Sequence, residues 1–212
     1  MTRLICLANS WRPGGRCIAG IDAESGEWVR PVPPGGGPIA EGRTRVAGRL
    51  LLPLDVVEIE LAPPTYSTRF QRENRVVLNW KWRLLGQVTP SEVLRYCSKG
   101  RTVLHSSGKV VEPAYMARLP PKDWASLELV RATNVSFVPD PRKENRWQVS
   151  FSMVRFPRKY CLTLTDPEAT RRLEGGGQVR FECLLTVSLT EPIAMHGMPA
   201  LCYKLVVAVI EL

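Results

Sequence analysis

Apolar and polar positions alternate with a period of two over much of this chain, which predicts strands rather than helices. Arg3–Ala8 is apolar and β-compatible, Arg16–Asp22 makes a second strand and Glu27–Val32 a third. Asn9–Gly15 (NSWRPGG) and Glu24–Gly26 carry the Gly, Pro, Asn and Ser of turns, so these strands read as an antiparallel meander. Pro33–Pro38 (PPGGGP) is a loop. In Asp55–Leu61, Val57, Ile59 and Leu61 alternate with Val56, Glu58 and Glu60, and Pro63-Pro64 ends the strand. Arg69–Arg75 reads as charged and exposed, and Val76–Leu85 as a strand. Thr89-Pro90-Ser91-Glu92 has the N-cap, N1 proline and N3 glutamate of a helix start, and a second short helix is expected over Glu112–Leu119.

From Leu127 the pattern begins again. Leu127–Val138 is a strand. Arg146–Phe156 places Trp147, Val149, Phe151 and Met153 on one face and Gln148, Ser150 and Ser152 on the other. Lys159–Thr165 returns with Tyr160, Leu162 and Leu164 inward. Asp166-Pro167-Glu168 caps a short helix that Gly175–Gly177 stop, and strands follow over Val179–Leu189 and Leu201–Leu212. Three strands, a helix and two strands is the order of a five-stranded Greek-key barrel of the OB type. The expected fold is therefore mainly β, with two OB-like five-stranded barrels and short helices. The expected domains are residues 1–126, a barrel with an insertion, and residues 127–212, a second barrel. Residues 62–126 either complete the first barrel or form a separate module.

Composition sharpens this picture. The formal net charge is +9, and the cations are 22 Arg against 7 Lys. Guanidinium forks match phosphate oxygens and stack on bases, so the surplus hints at nucleic acid. An Arg-rich but otherwise ordinary surface is the plain alternative. No secretory leader is read at the N-terminus, and no apolar run nears the roughly 20 residues of a membrane-spanning helix. A soluble, cytoplasmic protein is expected. The cysteines, Cys6, Cys17, Cys97, Cys161, Cys183 and Cys202, lack metal-type spacing and mostly adjoin apolar runs. They read as buried thiols, and neither a metal nor another cofactor is expected.

Four groups could carry chemistry. Asn9, Ser10, Arg12 and Arg16 fall at the expected first loop, and Trp28 and Arg30, two apart, share a strand face. An indole beside a guanidinium suits a base and its phosphate. In Trp80-Lys81-Trp82-Arg83 the indoles point one way and Lys81 and Arg83 the other; the indoles serve either as stacking groups or as barrel anchors. In the second barrel, Arg142, Lys143 and Arg146 occupy the first loop, with Arg158 and Lys159 at the next turn. Phosphate contact and plain solvation both fit these loops. Finally, His105-Ser106-Ser107 lacks, in sequence, the base and orienting group that a nucleophile needs. No GxSxG, HExxH or phosphate-binding loop is present, so no enzyme is expected.

Arg3–Gly20 (RLICLANSWRPGGRCIAG), Gly26–Val32 (GEWVRPV), Asn79–Lys81 (NWK), Leu104–Ser107 (LHSS) and Thr165–Pro167 (TDP) resemble the motifs of the bacterial dual OB-domain family. The resemblance spans nearly the whole chain. It implies two OB-like barrels and a nucleic-acid-binding role in bacterial conflict or defence, and it brings no catalytic residue set. The reading is a non-catalytic binder of single-stranded DNA or RNA. The alternative is an adaptor whose barrels dock a protein partner, and a nucleic-acid-processing enzyme is a third reading.

Overall fold

Leu4–Ser10 is buried at every residue, the mark of a strand covered on both faces. In the computed structural model, which describes residues 1–64, 70–141, 146–194 and 197–212, this segment lies within β1 (Thr2–Arg12). β1 pairs antiparallel with β2 (Gly15–Asp22), and β2 with β3 (Trp28–Val32). Here the expected turn over Asn9–Gly15 is corrected. Asn9 faces Ile18, Ser10 faces Cys17 and Trp11 faces Arg16, so β1 runs on to Arg12. A bulge between Cys6 and Ala8 resets its alternation, and only Pro13-Gly14 turns the chain. A Cβ on Gly15 would lie 2.2 Å from the Ile39 carbonyl oxygen, so the backbones meet there only because that residue is glycine.

The insertion after β3 is a lid on the barrel. It holds a 3₁₀ turn over Glu41–Thr44 and a small hairpin of β4 (Arg45–Val46) and β5 (Arg49–Leu50). It sends Ile39, Val46 and Leu51 into the core beside Leu4, Cys6, Ile18, Val57 and Ile59. β6 (Asp55–Leu61) and β7 (Asn74–Gln87) complete a closed five-stranded barrel of order β1-β2-β3-β7-β6. Only the β3–β7 pairing is parallel.

A connecting segment follows. α1 (Pro90–Val93) starts as the sequence predicts, with the Glu92 carboxylate accepting from the Thr89 N–H at 2.6 Å. β8 (Val110–Val111) and α2 (Pro113–Arg118) come next. The second sheet contains β9 (Leu127–Pro139), β10 (Trp147–Met153), β11 (Lys159–Leu164), β12 (Cys183–Leu189) and β13 (Cys202–Glu211), in the order β11-β10-β9-β12-β13-β8. β11 also pairs in parallel with β13. α3 (Pro167–Glu174) lies between β11 and β12, capped by the Asp166 carboxylate, which accepts from the Glu168 and Ala169 N–H groups.

The two sheets share a core. Ile5, Leu7 and Ile21 pack with Leu129, Leu184 and Ile210, and Ala8 and Ala19 with Leu127, Val207 and Ala208. This second contact face explains why β1 carries an unbroken apolar run. Of the cysteines, Cys6, Cys183 and Cys202 are buried and the other three half-buried, all as free thiols. Among the described residues no helix is long and apolar enough to cross a membrane.

Candidate nucleic-acid interface

The first predicted group lies mostly inside the molecule. Asn9 and Ser10 are buried; the Asn9 amide donates to the Leu51 carbonyl at 2.7 Å and holds the lid. Arg16 is buried and donates from Nε and NH2 to the Glu41 carboxylate at 3.0 and 2.7 Å. That pairing holds the Glu41 carboxyl below the ordinary carboxylate range. Arg12 is half-exposed at the hairpin tip beside Trp11, an indole 53% exposed.

Trp28 and Arg30 also turn inward. Trp28 packs into the shared core. Arg30 is 2% exposed, and its guanidinium donates to Asn74 Oδ1 (3.2 Å), Ser188 Oγ (3.3 Å) and the Ser126 carbonyl (3.5 Å). The segment expected to be charged and exposed joins this network, which corrects that expectation. Gln71 and Glu73 are buried; the Glu73 carboxylate accepts from Ser126 N–H (2.7 Å) and Oγ–H (2.9 Å). Gln71 donates to the Leu189 carbonyl at 3.3 Å. Arg69 lies outside the described residues.

The aromatic pair on β7 follows the predicted parity. Trp80 and Trp82 are half-buried against the first core and stack with centroids 5.9 Å apart, and the Arg43 guanidinium lies 4.8 Å from the Trp80 ring centre. Lys81 and Arg83 are exposed, and Arg83 pairs with Glu58 at 2.9 Å.

In the second half, Arg142 and Lys143 lie outside the described residues. Arg146 is exposed at the start of β10. Arg158 and Lys159 are exposed beyond its other end, so roughly 20 Å of extended strand separates them from Arg146. The structure joins Arg158 and Lys159 instead to residues that sequence reading left out. The link between β10 and β11 carries exposed Val154 and Arg155 and half-buried Phe156, and the Arg101 guanidinium lies 5.7 Å from the Phe156 ring centre. Arg101, Arg155, Arg158 and Lys159 make no ion pair among the described residues. Three of these exposed cations lie within one five-residue link and the fourth lies over its Phe156 ring, a grouping suited to phosphate contact. The run Val154–Lys159 (VRFPRK) holds that composition in sequence, but nothing there brings Arg101 onto Phe156.

A second cluster was also hidden by chain distance. Lys204 on β13 is 2% exposed, and its Nζ lies 2.6 Å from the Ser106 carbonyl oxygen and 2.8 Å from Ser106 Oγ. Burial lowers the Lys204 pKa to about 8, although the charge of Glu128 opposes the shift. Burial likewise raises the Glu128 carboxyl, against hydrogen bonds from Ser98 and the Leu104 N–H. His105 Nε2 lies 2.8 Å from the Ala125 carbonyl oxygen and 3.3 Å from its N–H.

A closed five-stranded barrel packed on a second β-sheet, joined by short helices, defines a class, mainly-β proteins built around a small barrel. The chain belongs to the Dual OB-containing domain family, whose model matches residues 2–209. No curated protein and no solved structure matches it.

Proposed function

We propose that this chain binds single-stranded nucleic acid along the exposed edge formed by Arg101, Arg155, Phe156, Arg158 and Lys159, and that this surface does no chemistry of its own. The observation that carries the reading is the set of four exposed cations without acidic partners among the described residues, one of them over an aromatic ring. OB-type barrels bind oligonucleotides through strand faces and adjoining loops.

The reading includes a division of the chain near residue 126 into two OB-type barrels. What supports it is the second sheet's repeat of the first barrel's order: three antiparallel strands, a return strand beside the first, and a last strand parallel to the third. The shared core and the Arg30 network fix the two units to each other, so a strand bound at one meets the other in a set orientation.

The test is fluorescence anisotropy of labelled single-stranded DNA and RNA at low salt, where phosphate contacts contribute most. Binding that weakens steeply with salt supports the proposal. Absence of binding to either oligomer sinks it.

A further inference from the structure

The β1–β2–β3 side of the first barrel is covered by the second sheet. Ile5 on β1, Ile21 on β2 and Trp28 on β3 face one another in register across the three strands. Their side chains point away from the barrel interior, which Leu4, Ile18 and Val29 help to fill, and pack with Leu129, Leu184 and Ile210. Thr186 Oγ–H also donates to the Leu7 carbonyl at 2.7 Å. Apolar side chains turned outward across three strands need a cover, and the second sheet supplies it.

The first three strands of the second sheet, β9, β10 and β11, carry the opposite chemistry on their outward side. Phe137, Val149 and Leu162 align across them and point into the core. The neighbouring rows, Ser136–Ser150–Cys161 and Val138–Gln148–Thr163, fall on the other side. Every residue in those two rows is exposed or half-exposed. The Cys161 thiol donates to Gln148 Oε1 at 2.9 Å and fixes that amide on the face. The hydroxyls of Ser136, Ser150 and Thr163 have no hydrogen-bond partner among the described residues. Such groups need no protein cover, and each can donate to or accept from a ligand. Exposed Arg146 stands at one end of β10, and exposed Arg155, Arg158 and Lys159 at the other. A polyanion laid along this face meets cations at both ends.

We infer that the chain has one strand-binding face and not two. Single-stranded nucleic acid lies across the outward side of β9, β10 and β11, where Ser136, Gln148, Ser150 and Thr163 hydrogen-bond its bases. The matching side of the first barrel serves to join the two halves. This rests on the function proposed above and adds where the bases lie, how they are read and how many strands one chain holds. Amides and hydroxyls recognise the edges of unstacked bases. No aromatic side chain stands in the two outward rows, so the bases are read there by hydrogen bonds instead of stacking. These contacts touch no phosphate, so they add affinity without adding salt dependence.

The experiment titrates the full chain at low salt with a labelled single-stranded oligomer of about 8 nucleotides, within the roughly 4–16 that one OB-type unit covers. The protein concentration is held well above the dissociation constant, so the endpoint counts strands. Photocrosslinking and peptide mapping then locate the strand. The expected results are one oligomer per chain and crosslinks within the two outward rows. The triple variant Gln148→Ala, Ser150→Ala, Thr163→Ala is expected to bind about tenfold or more weakly, the scale of three lost hydrogen bonds, with the salt slope of wild type. Because wild type alone gives the count and the location, a variant that fails to fold does not blunt the test. Two oligomers per chain, crosslinks that miss both rows, or a folded triple variant with wild-type affinity or a shallower slope overturns the inference and leaves the proposed function standing. Wild type that binds no oligomer overturns both.

Discussion

Arg30 and Ser188 stand 158 residues apart in sequence, yet the guanidinium of the first donates to the hydroxyl of the second at 3.3 Å. The same guanidinium reaches Asn74 and the Ser126 carbonyl, so one side chain of β3 ties the first barrel to the second sheet. Arg30→Met removes these bonds and leaves their acceptors buried. It is expected to lower unfolding free energy by about 2–3 kcal/mol, the scale of hydrogen bonds to a charged group. Urea denaturation measures it. An unchanged midpoint would show that the network does not hold the halves together.

The lid over the first barrel sets an acid limit. Burial alone would raise the Asp55 carboxyl, but hydrogen bonds from Arg49 (two, at 2.7 Å), the Leu52 N–H (2.8 Å) and Gln87 (2.8 Å) outweigh it and hold the pKa below the ordinary carboxylate value. A depressed folded pKa stabilises the fold at pH above the unfolded value, and that stability is lost as pH falls through the folded one. Unfolding followed between pH 6 and 2 should show it. Asp55→Asn should be less stable than wild type at pH 6, with the gap closing towards pH 2. A gap that stays constant with pH would contradict the assignment.

Asp166 acts on two elements at once, capping α3 and accepting from the Val209 N–H of β13 at 2.9 Å. Asp166→Ala is expected to cost about 1–2 kcal/mol from the cap alone. Asp166→Asn keeps an acceptor oxygen and should recover most of the loss. Thermal melts of the two variants compare them directly, and equal melting points would contradict the capping role.

Most strands were legible because the alternation that marks them is local. Asp55–Leu61 matches β6 end to end, and the Asp166-Pro167 helix start is read from three residues. The interface was less legible, for two physical reasons. β1 stays paired with β2 as far as Arg12, through an apparent turn sequence, so Asn9 and Ser10 lie in the strand interior instead of a loop. Arg30 and Arg16 share the composition of a binding residue, but their partners, Ser188 and Glu41, lie far along the chain. A charge pattern alone does not separate an arginine offered to solvent from one used inside the fold. The Ser106–Lys204 pairing was hidden in the same way, across 98 residues.

The two groups of arginine now predict different phenotypes. Arg16→Ala cuts a pair with Glu41 that is half-open to solvent, and oligonucleotide affinity should stay within about twofold of wild type, since such pairs contribute about 1 kcal/mol or less to stability. A loss as large as that from the β10–β11 link would return the interface to the first hairpin.

The most direct test of the account is the salt dependence of single-strand binding for wild type and for the triple variant Arg155→Ala, Arg158→Ala, Lys159→Ala. Each phosphate contact contributes about 0.7 to the slope of log affinity against log salt. The account predicts that the triple variant binds at least about tenfold more weakly at low salt, with a slope shallower by about 2. A folded triple variant with wild-type affinity and slope would contradict it.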